Sequence, residues 1–434
     1  MDGLIVVLIF FILMFLNVPI AISLGVSSII YVLFLSVIPA SMLIQAFVMG
    51  LDSFTLLGVP FFILAGDIMI QGGISRRLLK LSTAIVGGIV GSMAMITVLT
   101  SLIFGSISGS GPATVASVGR IAIPAMVQEK YERGFACSIA AASGAFGPLL
   151  PPSIVMIMFG VIAGQSISDL FLAGIVPGFL VAISLMIFSF FMARKHKFGA
   201  KMNPEIAEIQ PEKIKLWPAF KDAIWGILCP LIILGGIYSG AFTPTEAAVV
   251  ACVYGLIVGI FVYKEIKIKD IPRIFKSAVA TNGTILILVS CATAFGRVLT
   301  IERVPDAIAV AIAGVSDNMI IILLLITVLV LGLGLFLETL SALIILTPIL
   351  MPVAVSVGVN PIHFGIMMTM NLAIGQSTPP TGVNLFVAAR IGECKIEEIL
   401  KWLLSPILVL IFVLLLITFI PAISLTLPRI FGNM

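Results

Sequence analysis

Apolar positions in this chain run together in long segments, without the alternating rhythm of half-buried strands, and short polar stretches punctuate them. The segments at 4–16 and 19–35 predict an entering helical hairpin, followed by an amphipathic stretch at about 40–52. A helix is expected over 54–72, and 75–88 lies along a surface. Residues 90–127 are apolar except at their centre, which predicts a re-entrant hairpin with its tip at Ser108–Pro112. The next segment, 134–160, is broken at Pro151-Pro152, and 169–193 is intact. The second half repeats this order with spans at 220–240, 244–263 and 278–300. A hairpin at 319–355 with its tip at Phe336–Thr339, a broken span at 362–388 and a last span at 402–428 complete it.

The repetition extends to single residues. A shift of 228 positions carries Pro151-Pro152 onto Pro379-Pro380, Pro124 onto Pro352, Gly147 onto Gly375, Gly164 onto Gly392 and Ser153 onto Thr381. A shift of 225 positions matches NVPIA at 17–21 to FTPTE at 242–246. Paired interruptions in corresponding halves of a membrane protein point to a transporter binding site at the repeat interface. The pattern therefore predicts an all-α polytopic membrane protein with about ten transmembrane helices and two re-entrant hairpins. Its halves are inverted repeats, 1–193 and 219–434, joined by a cytoplasmic linker at 194–218.

Composition fits a chain in a lipid bilayer: 60% of the 434 residues are hydrophobic, 10% are charged, and mean hydropathy is +1.26. A soluble domain carries roughly a quarter charged residues, so most of this surface faces lipid. The net charge of +4 sits in short loops, at Arg76, Arg77 and Lys80, from Arg194 to Lys221, and from Lys264 to Lys276. Positive loops stay in the cytoplasm, whereas 36–53 lacks Lys and Arg and 164–168 lacks charge, which places both outside. The basic 264–276 is thus the inner counterpart of 40–52, as inversion requires. Loop bias accounts for the charge without nucleic acid. The five cysteines match no metal or disulfide framework. The N-terminal run lacks a basic n-region and a cleavage site and reads as the first span. GSISGSG at 105–111 lacks the Lys-Ser/Thr of a phosphate loop, and the linker is too short for a nucleotide-binding domain. No organic cofactor and no hydrolytic constellation is recognisable, so the chain does not read as an enzyme.

The chemistry concentrates at the interruptions. Ser106 to Pro112 is small, polar and helix-breaking, and irregular backbone at membrane depth survives only where protein or a wet cavity satisfies it. Glycine lets carbonyls turn to a ligand and serines add hydroxyl oxygens, an oxygen set suited to Na⁺; close packing through small residues is the alternative. Ser108, Gly109 and Ser110 are the candidates at this tip. Three prolines open the helix at 148–152, which frees carbonyls of Gly147, Leu150 and Pro152 to face it. The second site pairs Glu338 and Thr339 with Gly375–Thr381, and Asn384 lies one turn beyond. Glu338, a carboxylate in an apolar run, is a functional candidate by default: it coordinates the ion, orients the tip or senses substrate. Helix N-termini after each break suit an anionic substrate. Arg120 on the returning hairpin arm faces either a cavity or, by snorkelling, the interface. Neither His196 nor His363 has a metal-ligand neighbour.

These segments carry a resemblance. PFFILAGDIM (60–69), SGSGPATVASVG (108–119), GAFGPLLPPSI (144–154), FTPTEAA (242–248), FLETLSALIILTPILMPV (336–353) and NLAIGQSTPPTGVNLF (371–386) resemble the large membrane subunit of tripartite ATP-independent periplasmic (TRAP) transporters, the DctM family. The resemblance implies an ion-transporter-like elevator fold in a bacterial inner membrane and Na⁺-driven import of small carboxylic acids. It also implies two partners, a small four-helix DctQ-like membrane subunit and a periplasmic DctP-like substrate-binding protein. It places one sodium set at Ser108, Gly109, Ser110, Gly147, Leu150 and Pro152, and another at Thr339, Gly375, Thr378 and Pro380 with Glu338 adjacent. Ser108, Ser110, Ser153, Glu338, Thr381 and Asn384 are the substrate-binding candidates. A stand-alone Na⁺/dicarboxylate symporter and a channel are the competing readings.

Overall fold

Proline and glycine set where the helices stop. In the computed structural model, which describes residues 3–89, 91–198, 215–305, 307, 318–380 and 382–432, every regular element among the described residues is helical. Helix α1 (Gly3–Phe15) turns into α2 (Ile20–Phe34), with Pro19 as its N-cap, and α3 (Ala40–Met49) starts after Pro39. Helices α4 (Gly58–Gln71) and α5 (Ile74–Val86) meet at a 69° bend, where Gly73 takes a left-handed φ of 72°. Then follow the two arms α6 (Ser92–Ser108) and α7 (Gly111–Gln128), and the broken segment α8 (Arg133–Ser143), α9 (Phe146–Leu149) and α10 (Ile154–Ala163). The long α11 (Ile167–His196) ends the first half.

The second half contains α12 (Leu216–Tyr238), α13 (Pro244–Ile257), which continues as a π-turn to Val262, and α14 (Ile271–Ile301). Thr243 and Glu246 close a reciprocal capping box at the start of α13. Helices α15 (Met319–Gly334) and α16 (Thr339–Ser356) form the second pair of arms, and α17 (Pro361–Gly375) and α18 (Val383–Gly392) flank the second break. The chain ends in α19 (Ile396–Phe419) and α20 (Ala422–Phe431).

Two expectations change. The single span at 402–428 is two helices, because Ile420 leaves helical geometry ahead of Pro421. Helix α20 then packs back on α11. Its Ser424 hydroxyl meets His363 Nδ1 at 2.7 Å, while His363 Nε2 faces the Thr418 carbonyl at 3.2 Å. His363 is a buried tie between α17, α19 and α20. Of about ten expected spans, six described helices are long and apolar enough to cross a bilayer, or eight when each bent pair counts as one span. The arms α1, α2, α6 and α15, of 13 to 17 residues, fall short of the roughly 20 that a bilayer requires. The linker residues 199–214 lie outside the described residues.

Packing divides by partner rather than by half. Helix α4 packs on α13, α14 on α2 and α3, and α12 on α5. Separately, α7 and α8 of the first half pack on α18 and α19 of the second, and α9 and α10 on α16 and α17. The interruptions of both halves therefore meet in one place.

Candidate functional site

At the first tip Gly109 adopts a φ of 60°, which ends α6, and Pro112 stands in the first turn of α7. The Ser108 and Thr114 hydroxyls lie 2.8 Å apart, and both point at the Ser110 carbonyl, at 3.2 and 2.8 Å. The tip lies backbone to backbone on the first break. A Cβ built on Gly147 would stand 2.2 Å from the Ser110 carbonyl carbon, and one on Gly109 would stand 2.8 Å from the Pro152 oxygen. Ser108, Gly109, Ser110, Gly147 and Pro152 are thus brought together. Leu150 lies in the same break as the C-cap of α9. Ser153 is spent locally: it caps α10 at the Met156 amide and its hydroxyl donates to the Pro148 carbonyl.

The second tip has the same construction. Glu338 caps α16, its carboxylate accepting from the Ser341 amide at 3.1 Å and hydroxyl at 3.3 Å. The Thr339 hydroxyl reaches the Leu372 carbonyl at 3.5 Å, and the Thr378 hydroxyl donates to Ile374 at 2.8 Å. A Cβ on Gly375 would stand 2.6 Å from the Gly334 oxygen. Thr339 and Gly375 therefore meet across this contact, whereas Pro380 is exposed and Thr381 lies outside the described residues. Both proline pairs, Pro151-Pro152 and Pro379-Pro380, are joined by cis peptide bonds.

The two breaks also bind each other. Ser377 donates to the Ala141 carbonyl at 2.8 Å and accepts from Asn384 Nδ2 at 3.1 Å. Among the described residues this leaves Asn384 Oδ1 a buried acceptor with no donor, and Gln376 Oε1 is another. A Cβ built on Gly111 would lie 2.5 Å from Gln376 Oε1, 2.9 Å from the Gly144 carbonyl and 3.0 Å from Asn384 Oδ1. Three acceptors thus surround the start of α7, two of them without donors. Oxygen acceptors gathered without donors suit a hard cation.

Both tips open on one cavity of about 660 Å³. Ser108, Gly109, Ser110, Glu338, Thr339, Ser341 and Gln376 line one side of it. Pro19, Asp67, Thr281, Thr284 and Leu288 from α2, α4 and α14 line the other. Glu338 is exposed to it, and Asp67 is half-buried. Among the described residues no Lys, Arg or His lines it. Gly147, Leu150, Pro152, Ser153, Gly375, Thr378, Pro380 and Asn384 do not line it.

Sequence reasoning missed Asp67 and the Gly144 carbonyl, and it did not single out Gln376 within Gly375–Thr381. Asp67 carried the signal that marked Glu338, a lone carboxylate in an apolar run. Gln376 sits inside the quoted motif. The Gly144 carbonyl had no signal, because its role depends on a distant helix. Ser377→Ala should leave the buried Asn384 amide without its acceptor, while the Ala141 carbonyl keeps the Gly144 N–H, at a cost of about 1–3 kcal/mol. A fall in the unfolding temperature of the purified protein is expected, and an unchanged one would mean that this bridge adds nothing.

Residues 7–423 match the family model of the DctM component of the tripartite ATP-independent periplasmic transporter. The chain is 35% identical, over 97% of each chain, to the C4-dicarboxylate TRAP transporter large permease DctM of Rhodobacter capsulatus. It is 37% identical, over 96% of each chain, to the sialic acid TRAP transporter large permease SiaM of Vibrio cholerae. The isethionate TRAP transporter permease DctMQ of Oleidesulfovibrio alaskensis is 43% identical over 94% of this chain, which spans 64% of that protein's length. Among solved structures, the YdaH transporter of Alcanivorax borkumensis aligns with a TM-score of 0.58 at 16% identity, covering 91% of each chain. MtrF of Neisseria gonorrhoeae aligns with a TM-score of 0.59 at 13% identity, covering 92% of this chain and 94% of its own. These last two share the fold. The relatives are transport permeases rather than enzymes, and the chain belongs to the DctM family, the large multi-pass inner-membrane component of TRAP transporters.

Proposed function

We propose that this permease imports a small organic acid by Na⁺-driven, elevator-type alternating access, together with a small membrane subunit and a periplasmic binding protein. In this reading 1–193 and 219–434 are inverted repeats joined by a cytoplasmic linker at 194–218. The tips and breaks carry the substrate, while α2, α4 and α14 form the wall they move against.

The carrying observation is the charge of the cavity. Among the described residues it holds two carboxylates, Asp67 and Glu338, and no basic side chain. An anionic substrate cannot enter there on side-chain charge alone. Bound cations would offset it, and the donor-free acceptors around Gly111 supply an oxygen set for one. Ser108, Ser110, Gly147 and Pro152 with the Gln376 and Asn384 amides would hold that Na⁺; Thr339, Gly375 and Thr378 would hold a second. The start of α7 at Gly111 and of α16 at Thr339 adds partial positive charge toward the substrate. The relatives named for C4-dicarboxylate, sialic acid and isethionate transport support an organic acid as cargo.

Uptake into vesicles separates this from the alternatives. With both partners and an inward Na⁺ gradient, saturable uptake is expected, and removal of the binding protein should return it to background. Uptake by this chain alone would favour a stand-alone symporter. Flux that neither saturates nor follows Na⁺ would favour a channel.

A further inference from the structure

The main cavity does not end at the tips. A second hollow of about 310 Å³ adjoins it, and Ile70 and Ala113 line both. From Ala113 the hollow follows one face of α7 through Ala116 and Ser117 to Arg120, at helical spacing. Arg76 and Glu265 stand across from that face.

The charges here are unequally satisfied. Arg77 Nη2 holds Glu265 at 3.4 Å, and Arg77 Nε holds Asp222 at 3.2 Å. The acid of the hollow therefore already has its cation. Arg76 and Arg120 are exposed, and neither has a carboxylate partner among the described residues. Two guanidiniums in one hollow, beside a cavity whose charged lining among the described residues is Asp67 and Glu338, reverse the sign of the field along a single groove.

We infer that Arg76 and Arg120 form an anion station on the route from the tips to the basic end of the molecule. A guanidinium presents a planar fork that fits a carboxylate or sulfonate through two hydrogen bonds. An organic anion that loses its companion cations in the main cavity is left beside Asp67 and Glu338, and this hollow is the adjoining place of opposite charge. The small side chains at 113, 116 and 117 leave the passage open. The identity of the anion as cargo rests on the proposed function; the anion site itself does not.

The test reads charge selectivity without transport. Ser117→Cys is purified in dodecyl maltoside, which carries no phosphate, and the chain without this cysteine serves as the blank. Its reaction with anionic sulfonatoethyl methanethiosulfonate is compared with that of the cationic trimethylammonioethyl reagent. Paired positive side chains in a cleft concentrate anions on the order of tenfold, so Arg76→Gln with Arg120→Gln should lower the anionic-to-cationic rate ratio about tenfold. Succinate should slow the anionic reagent in the protein with both arginines and not in the double variant. An unchanged ratio overturns the inference. So does protection by phosphatidylglycerol with none by succinate, which would assign the arginines to a lipid headgroup. A permease that proves independent of Na⁺ would leave these ratios standing, so failure of that reading and failure of this one are distinguishable.

Discussion

Gly147→Val is expected to raise the Na⁺ needed for half-maximal uptake by on the order of 100-fold while the protein still inserts in the membrane. At this position even a Cβ would stand 2.2 Å from the carbonyl carbon and 2.4 Å from the carbonyl oxygen of Ser110. Those are backbone atoms in a tip already fixed by the Ser108 and Thr114 hydroxyls, so they cannot swing aside as a side chain would. The tip must lift from the break, and the oxygens that converge there separate. Overpacking of this kind costs about 1–3 kcal/mol, which is about five- to 150-fold in an affinity. Valine, with its two extra methyls, belongs at the upper end. Gly375→Ala should behave alike, because its Cβ would stand 2.6 Å from the Gly334 oxygen. Gly235→Ala provides the control, since no atom lies within 4 Å of a Cβ there. Half-maximal uptake should shift to much higher Na⁺ in the first two variants and stay in place in the third. Equal behaviour of all three would remove the tip-on-break contact from the transport cycle.

The contrast between Gly147 and Gly235 also marks what a sequence can carry. Both are glycines in apolar helical surroundings. What distinguished Gly147 in advance was the proline cluster after it and its counterpart 228 positions on, at Gly375. The breaks and tips were legible because proline and glycine act on their own backbone, and the structure places the arms α6, α7, α15 and α16 within one or two residues of the sequence boundaries. The split of the last segment at Pro421 was marked by a proline too, but the flanking apolar run hid it.

Contacts between the halves were another matter. Ser377 reaches Ala141 across 236 positions, and nothing local indicates such a partner. For the same reason Ser153 looked like a ligand-facing hydroxyl and is a helix cap instead, and Asn384 looked like a substrate contact and lies buried off the cavity, its amide held by Ser377. Oxygens on a broken helix are easy to find; which way they face is fixed by the packing of distant helices.

Glu338 supplies the second large effect, and two substitutions separate its possible roles. The carboxylate caps α16 through Ser341 and is also exposed to the cavity, so removal of the side chain would confuse cap with charge. Glu338→Gln keeps an acceptor in place for the Ser341 amide and deletes only the charge. Glu338→Ala deletes both, and loss of an N-cap costs about 0.5–2 kcal/mol. If the charge attracts the coupling ion, the glutamine variant should need roughly tenfold more Na⁺ for half-maximal uptake, the effect of about 1.4 kcal/mol, while its unfolding temperature stays near that of the parent. The alanine variant should then show that shift together with a lower unfolding temperature. If the carboxylate serves only to start α16, the glutamine variant will transport as the parent does and the alanine variant alone will lose stability. An unshifted Na⁺ dependence in Glu338→Gln would leave Asp67 as the cavity's remaining candidate for charge compensation, because it is the other carboxylate lining the cavity.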